Sequence, residues 1–213
     1  MSLDFGAIVA EFPKVVPVFP LSGVVLFPGA TLALHVFEPR YRAMVSDALR
    51  GDRLIASALL SACTREEYAE RPPFHDPVCV GRMVRHEPLP DGRSNITLVG
   101  VATGRVREAV DGKPYRRARV EARPEDASTG AGFRERLERA FRRAGTGAPS
   151  LAELEGKLVE VAGEAMLPAA LVNACAFASP ILPGDKLGLL AQATLTLRLD
   201  ALLELQDRRW QWN

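Results

Sequence analysis

The sequence is poor in the residue types from which disulfide scaffolds and metal centres are built. Its 213 residues include three cysteines and three histidines. An odd number of widely separated cysteines argues against a disulfide framework and indicates thiols in a reducing compartment. Only His75 and Cys79 lie near one another, and one such pair supplies too few ligands for a zinc site. We therefore expect neither a metal nor another cofactor.

Long apolar runs and an excess of one charge are also missing. No stretch approaches the roughly 18–20 apolar residues that cross a bilayer. The first residues include Asp4 and Glu11, where a secretory signal has a basic start and an unbroken apolar segment. The 27 lysines and arginines nearly cancel the 26 aspartates and glutamates, so no strong field attracts nucleic acid or anionic lipid. We predict a cytoplasmic protein without a membrane partner, and the charge balance gives no indication of a nucleic-acid partner.

Candidate catalytic groups are equally scarce. A serine or cysteine nucleophile needs a base within hydrogen-bonding reach. His35 and His86 lie on predicted strands and His75 lies in a charged segment, and none belongs to a recognisable catalytic motif. Cys175 is surrounded by alanines, which is typical of a buried, inert thiol. The sequence therefore predicts no catalytic residue, and we interpret the chain as not an enzyme.

The first half of the chain is divided into short β-rich runs by turn-forming dipeptides. Pro28-Gly29 has the order of a type II turn, and Asp91-Gly92 and Asp111-Gly112 are typical of hairpins. A helix opens at Glu38-Pro39 and ends at Gly51, whereas the charged segment 64–76 is predicted to be a surface loop. The predicted strands are 15–20, 31–37, 54–60, 78–88, 94–110 and 115–123.

After Pro124 the apolar residues recur with the period of a helix. Ser150 and Glu153 have the spacing of a capping box, and Pro168 and Pro183 each mark the start of a helix. The predicted helices are 133–141, 151–165, 168–177, one from 183, and 195–203. This pattern predicts an α+β fold: a six-stranded antiparallel, barrel-like sheet with one helix over residues 1–125, followed by a helical bundle over residues 126–213.

Several stretches resemble the Lon N-terminal domain family, the substrate-recognition domain of Lon proteases. They are 17–21 (PVFPL), 24–29 (VVLFPG), 32–42 (LALHVFEPRYR), 80–84 (VGRMV) and 89–101 (LPDGRSNITLVGV). The resemblance is close over residues 15–107 and extends by helix order over 150–209. Residues 37–42 are most similar to stand-alone Lon-domain proteins of bacteria. The family implies a PUA-like pseudo-barrel followed by a helical bundle, without catalytic groups.

Lon proteases add an ATPase and a serine-lysine protease domain to this one. No segment here matches the phosphate-loop motif, since Gly184-Asp185-Lys186 lacks the first glycine and the hydroxyl residue. The resemblance therefore implies a non-enzymatic module that holds unfolded or exposed polypeptide segments in a groove between the sheet and the helices. Alternatives are an adaptor that docks onto a protease or ATPase and, with less support, an RNA-binding PUA-like protein.

The candidate binding residues are aromatic, apolar or basic. Arg40, Tyr41 and Arg42 can recognise a peptide, or Tyr41 can lie in the core with the two arginines solvated around it. Trp210 and Trp212 can fold back onto the helices or form a contact patch. The complete set is Phe19, Phe27, Phe37, Arg40, Tyr41, Arg42, Met83, Trp210 and Trp212.

Overall fold

The structure is a computed structural model that describes residues 4–125, 128–144, 150–162 and 167–210. Its strands are β1 (Lys14–Leu21), β2 (Thr31–Val36), β3 (Leu54–Leu59), β4 (Val78–Pro88), β5 (Ser94–Val110) and β6 (Arg117–Arg123). The helices among these strands are α1 (Phe5–Ala10), α2 (Pro39–Arg50) and α3 (Arg65–Glu70). The helices that follow are α4 (Phe133–Arg143), α5 (Leu151–Ala162), α6 (Leu167–Ala178), α7 (Pro183–Ala191) and α8 (Leu195–Trp210). The predicted α+β class is confirmed.

The strands form one sheet in the order β2-β5-β4-β3-β1-β6, and β6 also pairs with β5. That additional pairing closes five strands into a barrel, and β2 pairs with the first part of β5, along the same edge that β6 occupies further on. The sheet is mostly antiparallel, but β1 and β3 run parallel. The expectation of a wholly antiparallel sheet is corrected at this pair. Between β1 and β3 the chain passes through β2 and α2. This connection is long enough to bring β3 alongside β1 in the same direction.

Two helices in the first part of the chain were not expected. α3 lies in the segment predicted to be a loop, and α1 precedes the first strand. A complete capping box begins α3: the Thr64 hydroxyl accepts from the Glu67 amide, and the Glu67 carboxylate accepts from the Thr64 amide. Each helix has only six residues, too few for an apolar period to emerge from the sequence. The prediction of one helix before residue 125 is therefore wrong.

The buried apolar residues form two clusters. The smaller one fills the barrel with small and β-branched side chains such as Val18, Ala56 and Val120, and α1 adds Ile8. The larger one joins one face of the sheet to α2 and to the C-terminal helices, and its members include Phe27 and Leu199. Burial of this shared surface stabilises both parts of the chain together. The domain boundary at residue 125 stays a prediction.

A buried polar cluster lies where the barrel meets the helices. The Arg198 guanidinium on α8 donates to the Glu125 carboxylate at 2.6 Å and to the Asn173 carboxamide oxygen at 2.5 Å. It also donates to the backbone carbonyl of Leu189 at 3.0 Å. The Thr103 hydroxyl on β5 donates to the second Glu125 oxygen at 3.1 Å. The buried guanidinium and carboxylate thus neutralise each other and have hydrogen-bond partners, as buried ions require.

The loop between β1 and β2 passes directly over β5 at Gly100. The Gly29 amide donates to the Gly100 carbonyl at 2.8 Å, and the Gly100 amide donates to the Ala30 carbonyl at 2.9 Å. A Cβ at position 100 would lie 2.1 Å from the Phe27 carbonyl oxygen and 3.0 Å from the Cys79 sulfur. Only glycine permits this approach, which lies between the buried Phe27 and the start of the pairing of β2 with β5.

We expect Gly100→Ala to lower the free energy of unfolding by about 1–3 kcal/mol, because the added methyl group forces backbone atoms apart. Gly188→Ala in α7 is the matched control, since a Cβ there meets nothing within 4 Å. The control is expected to stabilise the protein by roughly 0.5–1 kcal/mol through its higher helix propensity. Urea unfolding of both variants measures the two effects, and equal effects would contradict the close approach at Gly100.

We expect Arg198→Met to lower the free energy of unfolding by about 3–5 kcal/mol, because it leaves the Glu125 carboxylate buried without a partner. Arg136→Met is the control, since its pair with Asp200 also joins α8 to its neighbour but is partly exposed and is worth under about 1 kcal/mol. Adding Glu125→Gln to Arg198→Met is expected to recover part of the loss. Denaturant unfolding measures both variants. Equal losses of unfolding free energy in Arg198→Met and Arg136→Met would contradict the importance of the buried pair.

Candidate polypeptide-binding surface

β2 is an edge strand of the sheet. Within the described residues it pairs with β5 alone, in an unbroken antiparallel register from Thr31 opposite Val99 to Val36 opposite Ser94. The Gly100 amide bonds to the Ala30 carbonyl in the same register. Since bonded and non-bonded pairs alternate along an antiparallel ladder, the backbone N–H and C=O groups of Thr31, Ala33 and His35 point away from β5. These groups form a row that another extended chain can pair with.

The side chains around this edge combine apolar and polar surface. Leu32 and Leu34 are half-buried on the core face, and Thr31, Ala33 and His35 are exposed on the opposite face. Phe37, directly after the strand, has 59% of its surface exposed. We call Thr31–Val36 together with Phe37 the β2 edge. It presents open backbone groups beside one large apolar side chain, which is the arrangement that strand-addition sites use.

His35 is held in place on the β2 edge by its neighbours. Its Nδ1 atom lies 2.8 Å from the Asn95 side-chain oxygen on β5, and its Nε2 atom lies 3.5 Å from the Arg93 guanidinium. The His35 ring stacks beside Phe37 with centroids 6.2 Å apart. The two rings therefore form a continuous exposed surface at the end of β2.

Four of the predicted binding residues lie in the core. Phe19, Phe27, Tyr41 and Met83 are all buried in the larger apolar cluster. The rings of Phe19 and Tyr41 have centroids 4.4 Å apart, and burial raises the pKa of the Tyr41 phenol. These side chains cannot contact a bound chain without opening the core, so we remove them from the candidate surface. Aromatic and apolar residue types are shared by cores and binding sites, which is why the sequence did not separate the two.

Arg40 is a structural residue. Its guanidinium lies over the rings of Tyr41 and Tyr68, 4.7 Å and 4.6 Å from their centroids, and donates to the Glu38 carboxylate at 2.8 Å and to the Tyr68 carbonyl at 2.6 Å. Glu38 also accepts from the Tyr68 hydroxyl at 2.7 Å. These contacts fasten α3 to the start of α2. With its donors used in this way, Arg40 is not available to recognise a peptide.

The other predicted residues have different positions. Phe37 is exposed, as a contact residue must be, and belongs to the β2 edge. Arg42 is exposed on α2 and lies against the hairpin turn at Gly92, where an added Cβ would meet its guanidinium. Trp210 is the last residue of α8, but its side chain lies outside the described part of the chain, as does all of Trp212. Their role in contacts stays a prediction.

The cleft between the sheet and the helices differs from the expected apolar groove. It has a volume of about 300 Å³ and lies between β5, β6 and the end of α7. Three arginines and Glu121 line it, and Arg123 donates to the Gln192 carbonyl at 2.7 Å. The rest of the wall comes from small apolar residues such as Pro77, Ala122 and Ala191. The cleft therefore combines charged and apolar surface instead of the loose apolar contacts that were expected.

The prolines in and beside the first two predicted strands indicate edge or bulge positions, but the sequence did not single out the residues of the β2 edge. Thr31, Leu32, Ala33 and Leu34 are unremarkable residues in a predicted strand, and their importance comes from the pairing of β2 with a single neighbour. One local feature does indicate an edge strand: β2 has only six residues, whereas β5 has 17. Short edge strands are a common way to limit unwanted pairing.

The described residues contain no group of three or more His, Cys, Asp or Glu side chains placed to hold a metal ion. None of the described helices has the length and apolar character needed to cross a membrane. Cys79 and Cys175 are buried, and burial raises the pKa of both thiols, that of Cys175 to about 12. Cys63 is partly exposed.

The family model of the ATP-dependent protease La (LON) substrate-binding domain matches residues 15–208. The chain belongs to this family. The Lon domain here is 32% identical over 113 residues to the Lon protease of Cytophaga hutchinsonii, covering 52% of this chain and 13% of that protein. It is 32% identical over 163 residues to the Lon protease of Desulfovibrio desulfuricans, covering 71% of this chain and 18% of that protein. The chain thus spans a small fraction of the length of these relatives.

Two solved structures share the fold of this Lon domain. The N-terminal domain of the Mycobacterium avium complex Lon protease superposes with a TM-score of 0.63 at 15% identity, covering 91% of this chain and 98% of that one. A Lon N-terminal domain protein from Xanthomonas campestris superposes with a TM-score of 0.65 at 23% identity, covering 90% of this chain and 98% of that one. The likeness confirms the predicted architecture of a sheet followed by helices.

We expect only Cys63 to react with a thiol reagent such as DTNB in the folded protein, because burial keeps the other two thiols protonated and inaccessible. Titration of the native protein at pH 8 should release one equivalent of thionitrobenzoate, and titration in guanidinium chloride should release three. Cys63→Ser is the control and should abolish the native reaction. Fast modification of a second thiol without denaturant would show that Cys79 or Cys175 is more accessible than the structure indicates.

Proposed function

We propose that this Lon domain binds extended segments of other polypeptides by adding them as a strand to the β2 edge. The observation that supports this most directly is the row of backbone groups at Thr31, Ala33 and His35, which faces away from β5 over the whole length of β2. The description of the family as a substrate-binding domain agrees with a role in holding polypeptides.

Binding of this kind depends little on the sequence of the bound chain. Main-chain hydrogen bonds supply most of the attraction in strand addition, and any residue other than proline carries both groups. Phe37 and the half-buried Leu32 and Leu34 add apolar contact at alternate positions of the incoming chain. We therefore expect exposed or unfolded segments with apolar residues to bind, because they are free to extend along the edge.

The arrangement favours holding a chain over cleaving it. In the β2 edge, His35 is occupied by Asn95 and Arg93, and neither of these neighbours is a nucleophile. A bound segment is therefore held intact and remains available to a separate protease or ATPase. The same arrangement is compatible with an adaptor, in which the bound chain is a segment of that partner enzyme.

We expect Ala33→Pro to weaken the binding of fluorescein-labelled casein, an unfolded protein, roughly 2- to 10-fold, because proline removes one outward N–H donor. Proline is tolerated at this position of an edge strand, since the lost donor does not belong to the ladder with β5. Ala33→Thr is the matched control, which keeps the N–H group and should bind like the wild type. Fluorescence anisotropy measures the dissociation constants, and circular dichroism checks that both variants fold.

We expect Phe37→Ser to weaken casein binding about 10-fold, because a large apolar side chain no longer becomes buried in the complex. Val84→Ser is its control, since Val84 is an exposed apolar residue, at 45%, on β4 rather than on the β2 edge. The control should leave the dissociation constant unchanged. Absence of casein binding by the wild type, or equal losses in both variants, would contradict the proposal.

A further inference from the structure

A polar cavity lies between the end of α3 and the connection from β5 to β6. This connection follows the last residue of β5, whereas β2 pairs with the first residues of that strand. The volume of the cavity is about 430 Å³. Its wall carries three cations and two acids, which leaves one net positive charge: Arg71, Lys113 and Arg116 against Glu70 and Asp111.

The three cations of the wall differ in their partners. Arg71 forms an ion pair with Asp111, and the Lys113 Nζ atom lies 2.9 Å from the Asp47 carboxylate. The Arg116 guanidinium makes no hydrogen bond or ion pair with any residue that the structure describes, and its Nε atom is buried without an acceptor. Arg116 is therefore the cation of this wall that lacks a counter-charge among the described residues.

The surroundings of Arg116 make the lack of a counter-charge unfavourable. Its guanidinium lies over the Phe74 ring, 5.4 Å from the centroid. Burial and the positive charge of Arg71 both lower the pKa of Arg116. A cation that is partly removed from water beside a like charge is stabilised when an anion binds to it. Phe74 lies against a face of the guanidinium, so an anion is best bound at its edge, where the N–H donors are.

Arg116 also differs from two other arginines whose Nε atom is buried without an acceptor. Arg117 donates through Nη2 to the Asp111 carbonyl, and Arg136 donates through Nη1 to the Asp200 carboxylate at 2.6 Å. Those two guanidinium groups are held by protein acceptors in spite of the unused Nε atom. The donors of Arg116 have no such acceptor within the described residues, which leaves them for a ligand.

We propose that Arg116, with Arg71 beside it, binds a carboxylate group in this cavity. The planar guanidinium edge donates two parallel hydrogen bonds to the two carboxylate oxygens. One negative charge balances the net charge of the wall, whereas the second charge of a phosphate would face Asp111 and Glu70. The carboxylate is the end of a polypeptide chain or an acidic side chain. The site includes no residue of the β2 edge and does not rest on strand addition there.

Nuclear magnetic resonance of the full chain tests this proposal with small model ligands. N-acetylglycine carries one carboxylate, and N-acetylglycinamide is its neutral counterpart. We expect N-acetylglycine, and not the amide, to shift the Arg116 Nε–H signal, which is assigned by its absence in Arg116→Gln. The backbone amide signal of Gly112, which lines the cavity, gives the dissociation constant in each variant.

We expect Arg116→Gln to weaken the binding of N-acetylglycine at least about 5-fold, because it removes the charged pair of donors. Arg116→Lys keeps the charge without the planar fork and should bind with intermediate affinity. Arg65→Gln is the matched control, since Arg65 is an exposed arginine on α3 that does not line the cavity. The control should bind like the wild type. Circular dichroism checks that the three variants fold.

Two further ligands identify the source of the carboxylate. The α-amide of N-acetylglutamic acid carries its carboxylate on the side chain alone, so tighter binding of this compound indicates an acidic side chain. Tighter binding of N-acetylglycine indicates a chain end. Equal shifts with N-acetylglycine and its amide, equal weakening in Arg116→Gln and Arg65→Gln, or tighter binding of inorganic phosphate than of either carboxylate would each overturn the proposal.

Discussion

The buried ion pair between Arg198 and Glu125 is the interaction on which the assembly of this domain depends. Glu125 follows the last strand, and Arg198 lies on the last helix, so the pair spans the chain from the end of the barrel to the end of the bundle. Thr103, Asn173 and the carbonyl of Leu189 complete the set of partners. A charge in this position is tolerated only when every partner is present, which couples the docking of α6, α7 and α8 to the barrel.

Closure of the barrel leaves β2 as an edge strand. Pairing between β5 and β6 closes five strands, whereas β2 pairs with β5 alone among the described residues and keeps one edge open along its whole length. The β1–β2 loop meets β5 at Gly100, directly before the register of β2 with β5 begins. The same close contact therefore lies between the buried Phe27 and the exposed edge beside Phe37. Stability of the fold and accessibility of the candidate surface come from one arrangement of the backbone.

Most of the residues that carry the resemblance to the Lon family have structural roles. Phe19, Phe27 and Tyr41 fill the core, Arg40 fastens α3 to α2, and Gly100 permits a close crossing. A motif of this kind identifies a fold more reliably than it locates a binding site. Phe37 is the residue of the FEPRYR stretch whose ring is most available for contact. The helical part of the chain matches the family with less conspicuous motifs, yet it carries Arg198 of the buried ion pair.

The sequence by itself determined the strands, most of the helices, the turns and the family. Periodicity and turn chemistry are local properties, and the Asp91-Gly92 hairpin and the capping box at Ser150 are examples that the structure reproduces. Tertiary contacts decided that β1 and β3 run parallel, that the outward backbone groups of β2 are those of Thr31, Ala33 and His35, that Tyr41 is buried while Phe37 is exposed, and that Glu125 meets Arg198. These features depend on contacts between residues far apart in the chain, and the free energy of such contacts is not recorded in any local pattern.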